Sequence, residues 1–180
     1  MIVNPENNKC ITSDEFGQGL WLFCKKFSKG FYEEFKPKAE ETGFKLTHDQ
    51  EIELSREIII LNLWLISKAL APDKKALDVL HKIYILGHRN MAESENEKQE
   101  MARFAQQELN KRYKTYYENW NDKSGDQTLL VVEMLQHMLN HGQPNRKLFN
   151  VMLTSPVNRH IMGMMKAALE FRKDFKLTEQ

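Results

Sequence analysis

The residues best placed for chemistry are Glu133, His137 and His141, each four positions from the next in a chain of 180 residues. Steps of four keep side chains on one face of a helix. Two imidazoles at i and i+4 can ligate one metal ion, and a carboxylate can add a third ligand. Asp78 and His81, three apart, would complete the set from a second helix. Mixed nitrogen and oxygen ligands of this kind suit several divalent metals. The spacing matches neither the paired Glu-x-x-His of di-iron bundles nor His-Glu-x-x-His. Ordinary helix chemistry also accounts for it. His141 stands at a helix C-terminus, where partial negative charge favours an imidazolium, and His137 lies beside Met134 and Met138. No cofactor is expected on this balance, and a divalent metal is the alternative.

A second set is aromatic. Tyr113, Tyr116, Tyr117 and Trp120 follow at helical spacing near the end of a long helical segment. One domain of this size is not expected to cover such a helix completely. The four rings are therefore a candidate interaction patch, and tyrosine and tryptophan are enriched in interfaces.

The third set is basic. Residues 143–180 hold 7 basic and 3 acidic groups, a net +4, and Asn158, Arg159 and His160 open what reads as the last helix. A recognition helix meets base edges at that end. Yet Arg159, Lys166 and Lys173 are seven apart and line one edge of the helix, as a solvated face would. The whole chain carries 26 Lys plus Arg against 25 Asp plus Glu, a field too weak to argue for nucleic acid or membrane partners. Specific nucleic-acid binding is not expected.

Methionine is frequent in the C-terminal half, at 134, 138, 152, 162, 164 and 165. Thioethers fill irregular cores and also line adaptable binding surfaces. Several of them exposed together would make a groove for a partner helix. Asn62 interrupts an apolar run and must find partners if buried, or cost ~1–3 kcal/mol. His88-Arg89-Asn90 reads as cation placement at a helix end rather than an anion clamp. Cys10 and Cys24 have no metal or redox spacing. Gly17-Gln-Gly19 lacks the rest of a phosphate loop, and no G-x-S-x-G elbow is present.

The elements that must position these groups are helices. Thr12-Ser-Asp-Glu15, Thr47-His-Asp-Gln50 and Ser124-Gly-Asp-Gln127 have the form of capping boxes. Behind the first, Phe16, Leu20, Phe23, Phe27, Phe31 and Phe35 recur at steps of three and four. Pro37 and Gly43 are expected to end that helix. Behind the second, residues 58–66 are apolar on every side, which places this helix in the middle of the protein. A third helix runs from about Asp73 to Leu86, where Gly87 is expected to stop it, and a fourth begins near Ala92. A fifth carries the histidines, a short sixth covers about residues 145–153, and Ser155-Pro156 restarts the chain into a seventh.

The expected fold is all-α: a six- to seven-helix single-domain bundle around a central apolar helix at about residues 48–70. Residues 1–11 read as an irregular leader and 12–180 as one helical domain, with helix at about 60–70% of the chain. The start of the chain shows no basic, apolar leader of the signal-peptide kind, and the longest apolar run falls well short of the ~20 residues of a membrane span. A cytoplasmic location is therefore expected. The expected role is a protein–protein interaction or regulatory module, including self-association. The first alternative is a metal- or small-ligand-dependent helical-bundle enzyme. The second is a DNA-binding regulator acting through its C-terminal helix pair.

Overall fold

A computed structural model describes residues 9–121, 127–140 and 150–178. Helices take up 82% of these residues. Six helices and one small sheet follow in the order β1 (Lys9–Thr12), α1 (Ser13–Glu41), α2 (His48–Ala69), α3 (Lys74–Arg89), α4 (Glu95–Asn119), α5 (Thr128–Asn140), α6 (Val151–Lys173) and β2 (Phe175–Thr178). The all-α expectation holds.

Two capping boxes form as read from the sequence. The Thr12 hydroxyl accepts from the Glu15 amide at 3.2 Å while the Glu15 carboxylate accepts from the Thr12 amide at 2.8 Å. Thr47 and Gln50 exchange the same pair of bonds. A third box, Ser94 with Glu97, opens α4. The expected box at Ser124 lies outside the described residues, apart from Gln127. That side chain bonds the backbone of Asn121 in both directions, at 2.8 and 3.1 Å.

Three expected breaks do not occur. Pro37 lies inside α1. The helix ends at the other expected signal, in a glycine cap where Gly43 takes φ 91°, its amide reaches the Glu40 carbonyl, and the Phe44 amide reaches back to Ala39. This bond pair satisfies the last carbonyls, so it wins over the single bond the proline removes. Gly87 does not stop α3, which continues to Arg89. A helix-interior glycine costs only ~1 kcal/mol, which packing elsewhere on the helix outweighs. Ser155-Pro156 is not a restart either. Asn150 caps α6, its side chain accepting from the Met152 amide at 2.8 Å, and Pro156 sits inside the helix. The expected short helix at 145–153 falls mostly outside the described residues.

The leader is also not wholly irregular. Lys9–Thr12 pair in parallel with Phe175–Thr178. A two-stranded sheet is marginal alone, and here aromatic packing supports it. Phe175 meets Phe16 and Phe171 at 5.6 and 5.1 Å between ring centres. Arg172 donates to the Phe175 carbonyl at 2.7 Å and pairs with Asp73 at the start of α3.

The central helix behaves as its composition requires. α2 touches all five other helices, and Leu54, Ile58, Ile60, Leu61, Leu63, Trp64, Leu65 and Ile66 are buried. Gly17 lets α1 and α3 approach closely, since a Cβ there would lie 2.6 Å from the Val79 Cβ and 2.7 Å from the Ala76 carbonyl oxygen.

Candidate binding groove

His137 Nε2 and Glu133 Oε1 lie 2.8 Å apart on α5 and bond each other. Burial lowers the pKa of His137, and the Arg112 guanidinium lowers it further. His141 lies outside the described residues. On α3, Asp78 is exposed, while His81 turns inward to the Tyr113 hydroxyl at 2.8 Å and the Ser67 hydroxyl at 3.1 Å. Burial lowers the His81 pKa as well. Among the described residues no three His, Cys, Asp or Glu side chains could hold one ion.

The aromatic set divides. Tyr116 is fully buried and meets Trp64 edge-on at 5.5 Å. Tyr113 gives its hydroxyl to the His81–Ser67 network. Tyr117 and Trp120 also flank Trp64 at 5.5 Å, but Tyr117 is 52% exposed and Trp120 is half-buried. The expected four-ring patch is thus reduced to two rings at the surface. The cause is Trp64: a helix apolar all round needs a cover on its α4 side, and the tyrosine ladder supplies it. The Lys68 ammonium lies over Trp120 at 4.8 Å, a favourable cation–π placement.

The basic set also divides. Asn158, Arg159 and His160 lie in the middle of α6, not at its start. His160 is directed into the core. It stacks on Phe31 with ring centres 3.9 Å apart, and its Nε2 donates to Asn62 Oδ1 at 2.7 Å. Asn62 in turn donates to the Ser28 hydroxyl at 2.9 Å. The buried amide is therefore bonded at both ends and ties α1, α2 and α6 together.

Sequence reasoning missed one buried pair. Glu57 is 2% exposed, and Arg112 of α4 holds its carboxylate with three bonds of 2.7–3.1 Å. The signal was present: Glu57 falls three after Leu54 and four before Leu61, on the stripe that faces the core.

Exposed apolar side chains converge at one place. α6 turns Met162 (51% exposed), half-buried Met165 and Leu169 (45% exposed) outward. Opposite them stand Trp120, Asn121 and Gln127, where α4 gives way to α5. Between these walls lies an open groove of about 640 Å³, rimmed by Lys166, Glu170 and Lys173. Its volume falls within the ~300–1,000 Å³ typical of ligand sites. Trp120 is the one member of the expected aromatic patch that lines it, and Met162 and Met165 belong to the α6 wall. The groove's walls are apolar and adaptable, and its charged groups stand at the rim.

No family model, curated protein or solved structure matches this chain. Among the described residues no helix is long and apolar enough to cross a membrane.

Proposed function

We propose that this chain is a protein-interaction module that receives a helical segment of a protein partner in the groove between α6 and Trp120, Asn121 and Gln127. One observation carries the reading: among the described residues Met162 and Leu169 are exposed and Met165 half-buried, opposite Trp120 on a concave apolar surface. Steps of three and four on α6 form a ridge against which a second helix packs. Methionine side chains adapt to varied partners, and tryptophan supplies a rigid anchor wall. The two free thiols, one of them exposed, suit a reducing compartment, and we place the module in the cytoplasm on that ground.

The test is a titration of the full chain with a leucine-rich amphipathic helical peptide, followed by fluorescence anisotropy. Saturable binding is expected, weakened by about tenfold or more in Met162→Glu, because a charge in an apolar anchor pocket is costly to desolvate. Met162 is exposed, so the variant should keep its unfolding midpoint. Equal binding by the variant, or none by the parent, overturns the reading. Self-association through the same groove would appear in sedimentation as a dimer that Met162→Glu dissociates.

A further inference from the structure

The exposed face of α6 continues the groove along the helix. Val151, Ser155, Asn158, Met162, Met165 and Leu169 follow one another at steps of four, three, four, three and four, and all are exposed except half-buried Met165. That alternation is the spacing of a heptad seam, here about 27 Å long at 1.5 Å per residue. The two flanks of the seam differ. On one side Ile161 and Ala168 are fully buried in the bundle. On the other side Arg159, Lys166 and Lys173 stand exposed at seven-residue intervals, the first two directly after a seam position and Lys173 one heptad beyond Lys166.

The carboxylates near this basic edge are mostly engaged elsewhere or shared. Glu34 holds Lys38 at 2.6 Å and lies 3.9 Å from Arg159. Glu170 holds Lys173 at 2.9 Å. Lys166 is in no ion pair within 4.0 Å among the described residues, and its charge also acts on Glu170. A helix laid on the seam would meet one open flank, and that flank is positive.

We infer that the partner is an amphipathic helix of another protein carrying acidic residues at heptad spacing, laid along α6 so that they face Arg159, Lys166 and Lys173. This rests on the groove being a helix-binding site. Apolar anchors in the Trp120 groove supply the affinity, and the charged edge sets register and selects the partner. A helix with lysines at those positions is rejected by like charge.

Three peptides of about four heptads test this, with leucine at the seam positions and glutamate, glutamine or lysine at the flanking ones. Each is titrated against the full chain at low and high salt. The glutamate peptide is expected to bind about tenfold more tightly than the glutamine peptide, with the gap closing as salt rises, and the lysine peptide to bind weakest. The combined Arg159→Glu, Lys166→Glu and Lys173→Glu variant should invert the order in favour of lysine. Lys166→Glu alone, at a solvated position, should weaken the glutamate peptide and strengthen the lysine peptide. Equal binding of the glutamate and glutamine peptides overturns the charge assignment and leaves the groove reading standing. Failure of all three to bind removes both. A dimer of this chain that Met162→Glu dissociates makes the occupant a second copy and overturns the inference.

Discussion

His160 and Asn62 are 98 residues apart in sequence and meet at 2.7 Å inside the bundle, imidazole Nε2 to amide oxygen. The contact makes stability depend on pH. Phe31 faces the ring from α1, Asn62 faces it from α2 while bonding Ser28, and Glu34 is the charged group that acts on it. Burial outweighs Glu34 and brings the His160 pKa down to about 4.

The first prediction follows from that depression. In the unfolded chain His160 takes up a proton as pH falls through about 6.5, whereas in the folded chain it does not until about 4. Stability from this group is complete above the unfolded value and declines as pH falls through that window, by about 3 kcal/mol in all. His81 and His137, also lowered by burial, add in the same direction. Urea unfolding at pH 7 and pH 4.5 should show the fall. His160→Gln, which keeps a donor for Asn62, should flatten it. An unchanged slope in the variant would contradict the assignment.

The buried pair of Glu57 and Arg112 gives the second prediction. Glu57→Gln or Arg112→Met leaves one charge buried without its partner, which costs about 3–5 kcal/mol. Replacing both, with Leu at 57 and Met at 112, should cost clearly less than either single change, because no buried charge remains. Chemical denaturation of the three variants measures this, and additive losses would argue against direct coupling.

Glycines on α1 provide a paired third test. Gly17→Ala places a methyl group into Val79 and the Ala76 carbonyl, and overpacking of this kind costs about 1–3 kcal/mol. Gly30 has nothing within 4 Å of its would-be Cβ, so Gly30→Ala should stabilise by about 0.5–1 kcal/mol. Opposite shifts in melting temperature are expected. Equal shifts would mean that α1 and α3 are not so close.

Thiol chemistry separates the two cysteines. Cys24 is fully buried and burial raises its pKa to about 12, while Cys10 is exposed. The thiolate is the reactive form. Iodoacetamide at mildly alkaline pH should therefore label Cys10 alone in the native chain and both residues after denaturation, as read by intact mass. Rapid double labelling under native conditions would place Cys24 elsewhere.

The fold was legible in the sequence because its signals are local. The boxes at Thr12 and Thr47 formed, and the all-round apolar run at 58–66 lies at the centre. Helix ends were less legible, because Pro37, Gly87 and Pro156 are weak breakers once packing and caps favour continuing. Thr12 marked the start of α1, but nothing local revealed the strand before it, since its partner is 166 residues away, as Lys9 pairs with Phe175. The site was legible in part. The methionine count and the seven-residue spacing of Arg159, Lys166 and Lys173 were visible, but whether Met162 faces in or out depends on which side of α6 the bundle takes. The tyrosine ladder misled for the same reason. A helical stripe shows that a face is apolar, and only the neighbouring helix decides whether it is covered.

The most direct test of the groove uses the methionine methyl groups as reporters. With methyl-labelled methionine, addition of the glutamate-flanked helical peptide should shift and broaden the Met162 and Met165 signals. Met134, Met138 and Met164, buried in the core, should stay in place. That pattern, together with a shift of the Trp120 indole signal, is the predicted result. Saturable peptide binding that leaves Met162 and Met165 unmoved would contradict the account.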